Sequence, residues 1–203
     1  MEKSHSQSGQ ENWVLQILKE KRDGFFIEIG AHDGDNISNT FLLEKEYGWN
    51  GLLIEPNPET FAELVNNRKS ICVNKAVSNF TGRGHFILNR ELGKIDSQGT
   101  AEVDIITFRE LFTQHNIPEV IDYFSLDIEG GEYKALLGFP FEKHKFMCLT
   151  VEHNLYMKDE TPEVIKNKNN IYSILSAYHY IRIKENIENS EDWYVHSDLL
   201  LLK

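Results

Sequence analysis

The chain has 203 residues, 40% apolar and 26% charged, with a formal net charge of −11. That size suits one domain burying roughly 70% of its unfolded surface, and the acidic balance without clustered Lys and Arg argues against a nucleic-acid partner, because a phosphate backbone calls for a basic footprint. No apolar run approaches the roughly 20 residues of a membrane span, and the polar segment 1–12 lacks the apolar core of a signal peptide, so the expectation is a soluble cytoplasmic protein or one domain of a longer chain.

Residues 11–21 place Trp13, Val14, Ile17 and Leu18 on one stripe and predict an amphipathic helix. A strand follows over 25–29, then a helix over 37–47 with Asn36 or Ser38 as its cap, then a second strand over 51–55. Asn57-Pro58 joins a capping side chain to a proline at the first helical position, and starts a helix reaching Asn67. A third strand covers 71–77. Residues 78–106 break the alternation: Gly82, Gly84, Gly93 and Gly99 punctuate two strand-like pieces, 84–89 and 101–106, read as a β-ribbon inserted over the binding cleft.

Thr107 caps a helix reaching His115, a fourth strand covers 122–128, Gly130 opens another helix, and a fifth strand covers 146–152. A long helix near 162–178 precedes a sixth strand at 179–184 and a last strand at 193–202, with no helix after it. A last strand joined without a crossover helix must run antiparallel to its predecessor. The expectation is one α/β domain over 1–203, a Rossmann-like sandwich whose mostly parallel seven-stranded sheet ends in an antiparallel strand. Cys72 and Cys148 sit in apolar runs and read as buried small hydrophobes rather than a disulfide.

Ligands of open parallel sheets bind at the carboxyl ends of the strands. Glu28 on the first strand leads into the turn Gly30-Ala31-His32-Asp33-Gly34, and Glu55 ends the second strand. Gly30 is expected to let the backbone approach the ligand, and Gly34 to let a helix pack near the strand. The spacing Gly-x-x-x-Gly lacks the close-contact glycine that a pyrophosphate needs, and no basic cradle accompanies it. The reading therefore turns from dinucleotides to S-adenosylmethionine: Glu28 for its ammonium, Glu55 for both ribose hydroxyls, and Ala76, Val77 and Ser78 for its adenine.

The fourth strand ends Asp127-Ile128-Glu129-Gly130-Gly131-Glu132, and the fifth ends Glu152-His153-Asn154. Glu132 reads as an acid complementing the dipole of the helix it starts. Asp127 points toward the place of the donor's sulfonium, with Glu129 beside it. Two chemistries stay open. In one, Asp127, Glu152 and His153 hold a divalent Mg²⁺ or Mn²⁺ ion that lowers the pKa of an acceptor hydroxyl. In the other, His153 or Asp127 takes the hydroxyl proton directly as a general base.

These residues resemble the FkbM family of S-adenosylmethionine-dependent methyltransferases. The resemblance rests on Gly24 to Gly34, Leu53-Ile54-Glu55-Pro56-Asn57-Pro58, Lys75 to Ser78, Ser125 to Glu132 and Val151-Glu152-His153, with Ser6 to Glu11 similar to the family's beginning. It implies the class I methyltransferase fold and O-methylation of a hydroxyl on a sugar, glycan or other small polar acceptor. It also implies cofactor contacts at Glu28, Gly30, Glu55 and 76–78, and a reaction centre around Asp127, Glu129 and Glu152-His153. Trp49, Trp193 and Tyr156 are candidate rings for stacking a sugar. A non-catalytic S-adenosylmethionine-binding module of a larger glycan-modifying protein and a nicotinamide oxidoreductase are the alternatives.

Overall fold

The computed structural model describes residues 4–155, 161–187 and 190–201. In chain order the elements are α1 (Gln10–Ile17), β1 (Phe25–Ile29), α2 (Phe41–Tyr47), β2 (Asn50–Ile54), α3 (Pro58–Asn67), β3 (Ile71–Val73), β4 (Ala76–Val77), β5 (Gly82–Ile87), β6 (Lys94–Ile95) and β7 (Ala101–Ile106). Then come α4 (Phe108–His115), β8 (Val120–Leu126), α5 (Glu132–Leu137), β9 (Lys145–Glu152), α6 (Pro162–Ala177), β10 (Tyr180–Ile187), β11 (Glu191–His196) and α7 (Asp198–Leu201). Seven strands form one sheet in the order β10-β11-β9-β8-β1-β2-β3. β1 pairs in parallel with β2 and β8, as do β2 with β3 and β8 with β9. β11 runs antiparallel to both neighbours, β9 and β10. No helix among the described residues is long and apolar enough to cross a membrane.

Several boundaries differ from the sequence expectation, and three of them have a clear local reason. The third strand divides: β3 ends at Val73, Lys75 N–H turns back to Val73 O, and Ala76-Val77 pairs with Ile105-Ile106 in a second sheet of order β4-β7-β5-β6. That second sheet is the expected ribbon. α2 starts at Phe41 rather than 37, because Ser38, Asn39 and Thr40 spend their donors on Glu28. The last strand stops at His196, where Ser197 N–H donates to His179 O and a helical turn, α7, follows.

Strand periodicity divides the core. Ile27, Ile29, Leu52 and Ile54 face an aromatic layer with Phe108, Phe112, Phe124, Phe139 and Phe146. Phe26, Leu53, Tyr123, Cys148 and Trp193 face the opposite layer, with Trp13, Leu43 and Trp49. Trp49 and Trp193 are thus core residues, not sugar platforms: Trp49 Nε1–H donates to Lys21 O, and Trp193 packs 4.8 Å from the Trp13 ring. Tyr156 lies outside the described residues. Both cysteines are free; Cys148 is buried and Cys72 only half-buried, on the edge strand β3.

Candidate active site

The carboxyl ends of β1, β2, β4, β8 and β9 border one cleft of about 1050 Å³, roofed by the ribbon around β6 and flanked by α5 and α6. Gly30, Glu55, Ala76, Val77, Ser78, Asp127, Glu129 and His153 all line it. Glu28, Ala31 and Gly34 do not.

Glu28 is a different kind of residue from the one expected. Side chains alternate across a strand, so Glu28 shares the face of Phe26 and enters the helical layer instead of overhanging the strand tip. Its carboxylate accepts from Asn39 N–H at 2.7 Å, Ser38 Oγ at 3.1 Å and Thr40 Oγ1, with Arg68 Nη1 3.8 Å away. Burial raises its pKa against the lowering effects of Arg68, Thr40 and Asn39. Glu28 therefore shapes the 38–40 loop. Gly34, in left-handed backbone, packs on α3: an added Cβ would sit 2.5 Å from Leu64 Cδ1. Ala31 is buried in the helical layer.

The turn after β1 has little left for a phosphate. Gly30 N–H and Ala31 N–H both donate to Ile54 O, Gly34 N–H to Ala31 O, and His32 N–H to Glu55 Oε2. Asp35 and Asn36 N–H both donate to Asp33 Oδ1. A pyrophosphate cradle needs such N–H groups pointing at the ligand. Here the turn spends them on itself.

Glu55 accepts from His32 N–H at 3.0 Å and Asn57 N–H at 2.8 Å, and burial pushes its pKa up to about 7. Farther along the edge, carboxylate oxygens of Asp127, Glu129 and Glu152 lie within 4.8 Å of one another. Burial raises Asp127, and burial followed by the Asp127 charge raises Glu129 to about 7 and carries Glu152 well above its ordinary range. Asp127 and Glu152 hydrogen-bond each other, and burial of the two carboxyls side by side favours their protonated forms. Glu129 adopts a left-handed backbone, φ 58°, and its Oε2 accepts from Asn154 Nδ2 at 2.9 Å. A non-glycine residue in that region is strained and needs its surroundings to hold it.

His153 borders the cleft but does not join the three acids. Its Nδ1 accepts from Leu155 N–H at 3.2 Å, and its Nε2 stands 3.3 Å from Asp192 Oδ1. Both ring nitrogens face protein, because His153 follows the last residue of β9 and its ring turns onto β11. Of the expected ligands Asp127, Glu152 and His153, the two acids stand together with Glu129, and His153 stands apart from them. Glu132, as expected, serves its helix start, accepting from Ile128 N–H and Gly130 N–H.

Sequence reasoning missed two cleft residues, His32 and Lys94, while Asn154 stands at the strand edge where it was expected. His32 borders the cleft beside Glu55, with ring nitrogens that make no hydrogen bond and Nδ1 3.4 Å from Asp33 Oδ1. Its place inside the glycine turn was the available signal. Lys94 on the ribbon acts electrostatically on Glu129, and Asn154 holds that residue's carboxylate. Phe80, Phe86 and Tyr133 are the aromatic residues that border the cleft among the described residues.

The sequence profile of the methyltransferase FkbM domain matches residues 28–181. A comparison with curated proteins finds no match. Among solved structures, the methyltransferase FkbM of Methylobacillus flagellatus KT is similar at a TM-score of 0.54 and 15% identity, over 85% of this chain and 43% of that one. This chain therefore spans less than half the length of that relative. An O-methyltransferase from Bacillus cereus, solved with S-adenosylhomocysteine, has a TM-score of 0.55 at 9% identity, covering 95% and 84%. The METTL16 methyltransferase domain gives 0.51 at 12%, covering 91% and 65%. At these identities the structural likeness establishes the class I methyltransferase fold alone. The profile match spans most of the chain, and the chain belongs to the methyltransferase FkbM domain family of S-adenosylmethionine-dependent enzymes.

Proposed function

We propose that this chain methylates a hydroxyl of a small polar acceptor, a sugar or glycan, using S-adenosylmethionine. The observation that carries the reading is the set of groups along one cleft: Ala76 to Ser78, Glu55, Gly30 and the acids Asp127 and Glu129, with the Glu152 carboxylate close beside those two. When bound, S-adenosylmethionine supplies a methyl group activated by a sulfonium charge. A cleft floored by crowded acids favours a cationic donor and disfavours a pyrophosphate, and the spent N–H groups of the turn point the same way. This weighs against the oxidoreductase alternative. Glu55 would accept from the ribose hydroxyls, and Ala76 to Ser78 would border the adenine.

The residues at the β8 and β9 tips supply the base. Glu129, with a pKa near 7, is poised to accept the acceptor hydroxyl's proton at neutral pH, and Asn154 fixes its carboxylate. Asp127, hydrogen-bonded to Glu152, would orient the hydroxyl. Tyr133 and Phe80 offer ring faces to a neutral sugar. The net charge of −11 favours such an acceptor over a polyanion.

A second reading places a divalent cation among these acids. The three carboxylates Asp127, Glu129 and Glu152 form an oxygen-only set that suits Mg²⁺ or Mn²⁺. Titration calorimetry with S-adenosylhomocysteine, with and without EDTA, followed by a methyl-transfer screen on free and linked sugars, tests both readings. Binding and turnover indifferent to EDTA remove the metal. No binding of the cofactor product removes the donor assignment, and binding without transfer to any acceptor favours the non-catalytic module.

A further inference from the structure

The cleft has two electrical characters. Its floor, at the strand tips, holds the acids Asp127 and Glu129, whereas its walls carry cations from three separate elements: Lys94 on β6, Lys134 on α5 and Lys166 on α6. In a chain with 32 acidic residues against 21 basic ones, an ammonium group has many possible partners. Two other cations of the cleft are taken: Arg90 pairs with Glu63 at 2.6 Å, and Lys75 stands 3.8 Å from Asp104. The side chains of Lys94, Lys134 and Lys166 have no hydrogen-bond or ion-pair partner among the described residues. The acids of the same walls are placed by local structure. Asp96 Oδ1 accepts from Gln98 N–H at 2.8 Å, Glu163 sits in the first turn of α6, where the helix dipole favours an anion, and Glu91 follows Arg90 on the ribbon.

α6 adds the neutral half of the surface. Glu163, Lys166, Asn167 and Asn170 follow the i, i+3, i+4, i+7 spacing of one helix face, and all four border the cleft. Ile171 and Leu175 enter the core from another face of the same helix. An amide both donates and accepts, as a sugar hydroxyl does, so Asn167 and Asn170 suit a polyol. An ammonium only donates, and its best partner is an anionic oxygen.

We propose that the acceptor is an acidic sugar, its hydroxyls held by Asn167 and Asn170 and its oxyanion, a carboxylate or a phosphate, held by Lys134 and Lys166. Lys94, the cation that acts on the Glu129 carboxylate, marks the end of this surface nearest the reacting hydroxyl. The inference rests on the O-methylation reading above and narrows its acceptor. One acidic group suits these ammonium groups; an extended polyanion would also meet Glu91, Asp96 and Glu163.

Calorimetry on the full chain saturated with S-adenosylhomocysteine tests this with matched sugars: a hexose, its hexuronate and its 6-phosphate, in the gluco, galacto and manno series. At least one acidic sugar should bind about tenfold tighter than its neutral counterpart, and the advantage should shrink as salt rises from about 0.05 to about 0.5 M. A preference for the hexuronate alone assigns the oxyanion as a carboxylate, and one for the 6-phosphate alone assigns it as a phosphate. Lys134→Gln and Lys166→Gln should each remove about three- to tenfold of the advantage, with S-adenosylhomocysteine affinity within about twofold of wild type as the check on folding. In methyl transfer the loss should appear in KM rather than kcat. Neutral sugars that bind as tightly as both acidic partners would overturn the proposal, as would an undiminished advantage in the Lys134→Gln, Lys166→Gln double variant. A protein that binds S-adenosylhomocysteine but no acidic sugar overturns this inference and leaves the donor reading standing. One that does not bind S-adenosylhomocysteine removes the donor reading, and this inference with it.

Discussion

A Cβ added to Gly30 would lie 1.9 Å from the backbone oxygen of Asp127. The turn after β1 and the tip of β8 are in direct contact, so the glycine serves strand packing rather than only the approach of a ligand. Gly30 also has φ 84°, a conformation that L side chains rarely adopt. Gly30→Ala should cost about 3 kcal/mol or more in urea denaturation. A variant of wild-type stability would refute the contact.

Arg68 is buried and holds the loop that carries Asn39. Its Nη1 donates to Gly34 O and Ser38 Oγ, its Nη2 to Thr40 O and Thr40 Oγ1, and its Nε stands 3.2 Å from Glu44 Oε2. Removing it strands Glu28 and Glu44. Arg68→Ala should lose about 3–5 kcal/mol of stability, because a buried charge left alone is costlier than the pair it came from. Arg68→Lys should recover only part of that, since an ammonium cannot reproduce the fork.

The reaction site separates Asp127 from His153. Asp127→Asn should lower methyl transfer by about 100-fold or more while cofactor-product affinity changes by no more than about threefold. His153→Asn should cost about 1–3 kcal/mol of stability by breaking its contacts with Leu155 and Asp192, and reduce turnover far less. Rate loss equal to that of Asp127→Asn in a fully stable His153→Asn protein would show that the ring turns into the cleft.

Glu55 faces the nucleoside end. Glu55→Gln should weaken S-adenosylhomocysteine and methylthioadenosine alike, by roughly tenfold, because both carry the ribose. Calorimetry showing a loss confined to one ligand would place Glu55 elsewhere on the donor.

Glu55, Glu129, Glu132 and Glu191 share a direction: burial raises each from 4.5 to about 7. Between those values the unfolded chain binds fewer protons than the folded one, so stability falls as pH rises. The contribution is full below 4.5 and lost by the time pH passes about 7. Differential scanning calorimetry of the ligand-free protein should therefore give a Tm a few degrees lower at about pH 8 than at about pH 6. S-adenosylmethionine, a cation among these acids, should narrow the gap. A Tm that climbs through this window would contradict the burial of the four acids.

Much of the fold was legible because local patterns and sheet rules agree. The apolar runs at 25–29 and 51–55, the Asn57-Pro58 start and the Thr107 cap all recur as β1, β2, α3 and α4, with Asn57 Oδ1 accepting from Glu59 N–H and Thr107 Oγ1 from Glu110 N–H. The strand edges also placed Glu55, Ala76 to Ser78, Asp127 and Glu129 on one cleft. Glu28 was misplaced by treating a strand residue as a tip residue, although its parity with Phe26 already pointed it into the helical layer.

The amino-acid sequence by itself determined the order of strands and helices, the antiparallel last strand and the turn unsuited to pyrophosphate, because those depend on neighbours a few residues apart. Only the tertiary structure decided which acids meet. Asp127 and Glu152 hydrogen-bond each other because β8 and β9 pair in parallel with Leu126 opposite Val151. Gln10 reaches Glu191 across 181 residues of chain because β11 inserts between β9 and β10. Such contacts depend on register and on the direction in which each side chain leaves its strand, and no local pattern encodes both.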